Sequence, residues 1–352
     1  MIFEILQQHM KKYRKAGEIK VGVIGYGGAF NMGRQHLLEM RRAGMSPVAV
    51  AEIDPGRLAA AEGDFPEIQR FSTAREMLKK SDVGLVVIIT PHNTHAPLAL
   101  ECLKAGRHVV CEKPLAITTS EVDAMIAAAK KSKVLLSTYH NRHWDGCILE
   151  AAELVRKKAI GEIVRIDCHM GGYRKPGDWW RTSRTISGGI LFDWGVHLLE
   201  YSLQLIGAPV TEVSGFAHTG FWADHTKWKA DTNEDEAFAV VRFRGSQWLT
   251  LRITTIASRS PEGWLEISGT EGAIILEGGR ITLIQPSEGK KVTTEIVPRE
   301  SEGYRFYENV RDHLLGKSPL VITPEWSRRP IHILDLAVRS ARSGRALRAK
   351  YN

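Results

Sequence analysis

Three side chains combine reactive chemistry with a telling position. Lys113 stands in Cys111-Glu112-Lys113-Pro114, directly after the β-branched run His108–Cys111. A lysine delivered to the end of a strand can exchange a proton with a ligand bound at that edge, and Glu112 can pair with it or with an amide of such a ligand. Pro114 constrains the turn and is able to adopt a cis bond. Far downstream, Asp193 and His197 are four residues apart, so on a helix they share one face, and Gly188-Gly189 permit close approach where that helix begins. An imidazole there can take the proton of a hydroxyl group or return it, while Asp193 orients a hydroxyl or the imidazole. The competing explanations are ordinary ones. Glu-Lys-Pro is common in surface turns, and an i,i+4 polar pair can simply satisfy itself.

Such residues need elements to hold them. Val21–Ile24, Val48–Ala51, Leu85–Ile89, His108–Cys111 and Val134–Ser137 are apolar on both faces and alternate with helical patterns, as parallel strands covered by helices do. Thr73 with Glu76 and Thr118 with Glu121 are spaced as capping boxes. The pattern predicts an α/β fold, with an N-terminal Rossmann doubly wound parallel sheet. After a helix near Asp145–Lys158, longer alternating runs at Ile163–His169, Ala237–Phe243, Trp248–Ile256 and Trp264–Ser268 surround a helix at Gly189–Leu205. These predict a C-terminal α+β domain with a large, mainly antiparallel open sheet, ending in helices at Tyr304–Leu315 and Ser327–Ser343. The expected organisation is an N-terminal extension (1–18), a dinucleotide-binding domain (19–144) and a substrate-binding and oligomerisation domain (145–352), whose last helices can pack back on the first domain.

The first strand runs into Gly25-Tyr26-Gly27-Gly28-Ala29-Phe30, where glycines let the backbone approach a pyrophosphate at a helix N-terminus. The third glycine of the simple fingerprint falls on Phe30, and Gly33 supplies it only through an enlarged turn. Glu52, at the end of the second strand, is placed to accept hydrogen bonds from the adenosine ribose, which favours NAD, while Arg57 keeps NADP open. Thr90-Pro91-His92-Asn93-Thr94-His95 follows the Leu85–Ile89 strand at the sheet's carboxyl edge, as cofactor contacts or with Asn93 and Thr94 as helix caps. The candidate cofactor residues are thus Gly25, Gly27, Gly28, Ala29, Phe30, Glu52, Thr90, Pro91, His92, Asn93, His95, Glu112 and Lys113. No metal is expected: no nearby carboxylate or cysteine completes a ligand set for His92 and His95, and His140 with His143, though spaced like ligands, stands at a strand-to-helix junction, which is more often polar without metal.

Taken together with Ala105-Gly106-Arg107-His108-Val109 and Ser187-Gly188-Gly189-Ile190-Leu191-Phe192-Asp193-Trp194-Gly195-Val196-His197, these motifs resemble the Gfo/Idh/MocA oxidoreductase family over nearly the whole chain. The resemblance implies that Lys113, Asp193 and His197 face the reactive carbon and that Asn141 and Arg142 reach the substrate. It also implies homo-oligomers, dimeric or tetrameric, formed through the open sheet. Tyr173, Trp179, Trp180 and Arg181 mix aromatic faces with donors, which suits a pyranose.

The net charge of +8 is spread along the chain without a nucleic-acid motif, and no run is long enough to cross a bilayer. No apolar core or cleavage site follows the basic N-terminal stretch, and four cysteines lack zinc-site or disulfide-scaffold spacing, so a cytoplasmic protein with reduced thiols is expected. The resulting expectation is an NAD(P)-dependent oxidoreductase that passes hydride between nicotinamide and a ring carbon of a sugar, cyclic polyol or glycoside. A glycosidase acting by transient sugar oxidation and a non-catalytic sugar- or dinucleotide-binding scaffold are the alternatives.

Overall fold

Six short strands, three of them buried along their whole length, build the first sheet: β1 (Lys20–Ile24), β2 (Ser46–Ala51), β3 (Gln69–Phe71), β4 (Leu85–Ile88), β5 (His108–Cys111) and β6 (Leu136–Thr138). A computed structural model describes residues 13–28, 30–259 and 261–351. The N-terminal stretch 1–12 and Ala29 therefore lie outside the described residues. All pairs are parallel in the order β3-β2-β1-β4-β5-β6. The order reverses between β1 and β4, and at such a switch point the carboxyl ends of the strands leave a crevice for a ligand. Helices α1 (Met32–Arg42), α2 (Pro55–Asp64), α3 (Ala74–Lys80), α4 (His95–Lys104) and α5 (Thr119–Ser132) connect them.

Local chemistry explains several boundaries. Thr118 and Glu121 close a reciprocal capping box on α5, whereas Thr73 accepts the Glu76 amide on α3. β6 begins at Leu136 rather than Val134, because the Leu135 amide donates to His108 Nδ1 at 3.0 Å. β3 escaped the sequence pattern, since only one of its three residues is buried.

The second sheet is built from β7 (Ile163–Gly171), β8 (Val210–His218), β9 (Glu236–Phe243), β10 (Trp248–Thr254), β11 (Leu265–Gly269), β12 (Ala273–Glu277), β13 (Arg280–Ser287), β14 (Lys290–Ile296) and β15 (Leu347–Arg348). Its order is β14-β13-β12-β11-β7-β10-β9-β8-β15, antiparallel throughout except for the β7–β10 pair. Helix α6 (Gly146–Arg156) precedes it, and α7 (Leu191–Leu205) packs on β7 and β10, where Gly195 brings the helix close to Leu251. Two further helices follow, α8 (Arg305–Leu314) and α9 (Pro324–Ser343). The last starts one turn before the expected Ser327, because Thr323 accepts the Trp326 amide and Pro324 opens the helix.

The chain divides into two compact units, Met1–His140 with Tyr304–Arg328, and Asn141–Gly303 with Arg329–Asn352. The division falls inside α9.

Candidate active site

In the first unit, β1 ends in a turn that glycine alone can make. Gly25 has φ +96°, and a Cβ there would lie 2.2 Å from the Ile89 carbonyl oxygen. Gly27 has nothing within 4 Å of a would-be Cβ, so its bare backbone is open to approach. Across Gly28 lies the Arg57 guanidinium, in the space a side chain would take. Phe30, where the short fingerprint would need its third glycine, is exposed, and Asn31 makes a left-handed step before α1 starts at Met32. Gly33 takes over the close-packing role: a Cβ there would press on the Tyr26 ring at 2.7 Å. The turn is therefore the enlarged form.

Glu52 is buried and ties this turn to the next helix. One carboxylate oxygen accepts the Tyr26 amide at 2.6 Å and the other accepts the Asp54 amide at 2.9 Å. Asp54 in turn caps α2 through the Arg57 amide. Each Glu52 oxygen retains a second acceptor direction suited to a ribose hydroxyl. Open backbone at Gly27, an anchored carboxylate and a nearby guanidinium fit an adenine dinucleotide.

On the neighbouring strand ends, Thr94 donates to the Pro91 carbonyl at 2.6 Å instead of capping α4, and neither Asn93 nor Thr94 makes a side-chain cap. Thr94 already has helical dihedrals, while a capping residue needs an extended backbone. His95 sits with one ring nitrogen 2.8 Å from the Pro114 carbonyl and the other 2.9 Å from that of Thr90, which fastens the 90–95 loop to the Glu-Lys-Pro turn. His92 is buried beside it. The Lys113-Pro114 peptide is cis. Glu112 holds the turn from behind: one oxygen accepts the Lys113 amide at 2.9 Å, and the other lies 3.0 Å from His36 Nε2. Burial pushes the Glu112 carboxyl up, but the His36 hydrogen bond and the Lys113 charge outweigh it and hold it below the ordinary value.

In the second unit, α7 presents the other candidate residues. Gly188 and Gly189 both have positive φ, and a Cβ on Gly189 would crowd Glu234, whose carboxylate accepts the Ile190 amide at 2.9 Å. One turn on, Asp193 forms an ion pair with Arg181, whose guanidinium lies 5.2 and 5.0 Å from the ring centres of Trp179 and Trp180. Asn233 braces this segment by donating to the Arg181 carbonyl at 2.7 Å and accepting from Ser187 at 3.0 Å. His197 is buried between Trp194 and Tyr201. The Tyr201 hydroxyl donates to Asp145, as does Arg142, which also lies over the Trp194 ring. Burial and the Asp145 charge push the Tyr201 phenol up, so it stays a donor.

Two groups result: Trp179, Trp180 and Asp193 meet at Arg181, and Arg142 and His197 are joined through Trp194, Tyr201 and Asp145. Tyr173 is not among them: it is exposed, against Phe221 and Trp222. Asn141 opens a short 3-10 turn, and His143 pairs with the buried Glu200 at 2.5 Å. Among the described residues, no group of three or more His, Cys, Asp or Glu side chains is arranged to hold a metal ion.

Sequence reasoning missed His36, Tyr201, Asp145, Asn233 and Glu234. The i,i+4 spacing of His197 and Tyr201 was an available signal for one of them, but the others act across long separations.

Residues 19–140 match the family described as "Oxidoreductase family, NAD-binding Rossmann fold", and residues 152–349 match its "C-terminal alpha/beta domain", Gfo/Idh/MocA in both cases. The chain belongs to the Gfo/Idh/MocA oxidoreductase family. As a family member it is an NAD(P)-dependent oxidoreductase. The inositol 2-dehydrogenase 2 of Paenarthrobacter aurescens is 30% identical, over 82% of this chain and 85% of the relative. The scyllo-inositol 2-dehydrogenase (NADP(+)) IolW of Bacillus subtilis is 26% identical, over 96% and 98%. A solved NAD-binding protein from Listeria innocua superposes with a TM-score of 0.78 at 26% identity, covering 94% of this chain and 96% of that one. No helix among the described residues is long and apolar enough to cross a membrane.

Proposed function

We propose that this Gfo/Idh/MocA oxidoreductase is a dehydrogenase or reductase of a cyclic polyol or sugar, with Lys113, Asp193 and His197 acting on one ring carbon. The observation that carries this reading is the α7 face: buried His197 one turn from an Asp193 fixed by Arg181, itself stacked on two tryptophans. Adjacent hydroxyls offer Asp193 and His197 donors and acceptors, while the C–H face of a ring suits Trp179 and Trp180. The inositol dehydrogenase names of two relatives support this substrate class.

When bound, the dinucleotide supplies the hydride acceptor or donor. Gly25, Gly27 and Gly28 would admit its diphosphate, Glu52 its ribose, and Thr90, Pro91, His92, Glu112 and Lys113 its nicotinamide end. In oxidation His197 removes the hydroxyl proton, Asp193 holds a neighbouring hydroxyl, and Lys113 places a positive charge against the forming carbonyl oxygen. Reduction reverses these roles. The ionised Glu52 would repel a ribose phosphate, so NAD is the preferred cofactor, with Arg57 able to admit NADP.

The uncovered face of the second sheet, with Phe216 and Trp248 exposed, is the surface proposed for a homodimer or tetramer. Four free thiols accord with a cytoplasmic setting.

The test is reduction of NAD or NADP, followed by absorbance, with myo-inositol, scyllo-inositol, glucose and levoglucosan. Lys113→Ala is expected to abolish turnover and to leave NADH binding, measured by fluorescence, intact. Unimpaired turnover in that variant removes Lys113 from the mechanism. Released sugar without net NADH would favour the glycoside-cleaving alternative.

A further inference from the structure

Behind the Glu-Lys-Pro turn lies a buried polar cluster that the proposed mechanism does not use. His36 on α1 is wholly buried. Its Nδ1 lies 2.6 Å from the Tyr307 hydroxyl and its Nε2 lies 3.0 Å from a Glu112 oxygen. The Tyr139 ring meets the imidazole edge-on at 4.2 Å, and the Tyr139 hydroxyl donates to Glu39 at 2.6 Å. Tyr307, on α8, comes from the segment Tyr304–Arg328, which belongs to the first unit although Asn141–Gly303 of the second unit precedes it in the chain. Side chains from α1, β5, the end of β6 and α8 therefore meet at one imidazole.

The chemistry of the partners assigns the protons. An ionised carboxylate has no proton to give, so His36 Nε2 must carry the hydrogen and donate it to Glu112. With the imidazole neutral, His36 Nδ1 is the acceptor and the Tyr307 hydroxyl donates to it. The order of donation runs Tyr307 to His36 to Glu112, whose second oxygen accepts the Lys113 backbone amide. The imidazole in this chain is held rigidly, because rotating it leaves a ring nitrogen without a partner in a place water does not reach.

We propose that His36 is a positioning residue for Lys113: clamped by Tyr307, it fixes the Glu112 carboxylate, which holds the backbone of the Glu-Lys-Pro turn. This rests on Lys113 acting in the reaction. It gives the C-terminal return a role in the site, because α8 supplies the hydroxyl that sets the imidazole's tautomer. The titratable and charged groups around Glu112 and the imidazole are Lys113, Tyr307, Tyr139, Glu39 and Cys111.

The decisive variants are His36→Leu, which keeps bulk and loses both nitrogens, His36→Gln, whose amide nitrogen can still donate to Glu112, and Tyr307→Phe. With the best donor from the polyol and sugar panel, His36→Leu is expected to lower kcat by on the order of tenfold, as loss of one hydrogen bond to a charged group implies. Its activity is also expected to fall at the acid end of the pH–kcat profile where the wild type is still active, because only Lys113 then opposes the upward push of burial on Glu112. His36→Gln is expected to restore most of both, and NADH binding to change little in all three. Independently of turnover, nitrogen-resolved NMR of histidine-labelled protein is expected to show His36 as the Nε2–H tautomer in the wild type and to show that assignment lost in Tyr307→Phe. A folded His36→Leu enzyme with wild-type kcat and pH profile overturns the proposal, as does an Nδ1–H tautomer or a His36→Gln variant as impaired as His36→Leu. Lys113→Met measured alongside separates the two failures: if it turns over normally, the reading of Lys113 is wrong. If it is inactive while His36→Leu is unaffected, only the role of His36 falls.

Discussion

Replacing Glu52 by Gln changes one atom and tests the proposed cofactor site from within. The carboxylate accepts two backbone amides, from Tyr26 in the glycine turn and from Asp54 at the start of α2. A glutamine carbonyl can keep one of these, but its NH2 then faces the other amide, donor against donor. Losing one buried hydrogen bond to a charged acceptor costs about 2 kcal/mol. For a unit of this size that corresponds to a fall of roughly 4–8 °C in Tm, read by calorimetry or near-UV circular dichroism. The same change removes the negative charge proposed to meet the adenosine ribose, so the Kd for NADH should rise while that for NADPH falls. The ratio of the two, measured by fluorescence titration, is the sensitive quantity because a general loosening of the turn moves both in one direction. A Tm within about 1 °C of wild type would refute the bridging role, since loss of even about 1 kcal/mol would lower it by roughly 2–4 °C. An unchanged NADH to NADPH ratio would refute the ribose assignment separately.

Arg181→Met removes the ion pair to Asp193 and two contacts with tryptophan faces, each typically worth about 0.5–1 kcal/mol. KM for the best sugar or polyol should rise by roughly tenfold, and an unchanged KM would remove this segment from the substrate site. Thr118→Ala deletes the capping box on α5 and should cost about 1 kcal/mol in denaturant unfolding, with no change in kcat. Burial pushes the Cys102 and Cys168 thiols up to about 12, so each stays protonated in the folded chain long after it would ionise unfolded. With folded values raised, the stability they contribute is complete below pH of about 9 and is lost as pH rises toward 12. The slope of Tm against pH above 9 should therefore flatten in a Cys102→Ala/Cys168→Ala variant, and an unchanged slope would count against burial of these thiols.

Much of this architecture was written in local pattern. Strands such as Leu85–Ile88 and His108–Cys111 are apolar on both faces, and a segment of that kind has nowhere to go but the middle of a covered parallel sheet. Gly25, the Thr118–Glu121 box, the proline after Lys113 and the i,i+4 pair at Asp193 and His197 each state their geometry within a few residues. Strands with irregular or little burial were silent. β14, Lys290–Ile296, is exposed along almost its whole length and is a strand only because β13 offers it a hydrogen-bonding edge. β8, where polar and glycine residues break the alternation, is in the same position.

The partners of the candidate site were hidden for a related reason. His36 reads as one polar residue on an amphipathic helix, and Tyr307 as one aromatic on another, 271 positions away. Nothing in either neighbourhood encodes the other, because a hydrogen bond depends on where two side chains end up and not on how far apart they are in the chain. The sequence alone determined which residues can exchange protons, bind phosphate or turn the backbone, since those are properties of residue type and near neighbours. The tertiary structure alone decided which of them are locked in place, since burial, the carboxylate that bridges two amides and the tautomer of a histidine are set by groups that only folding brings together.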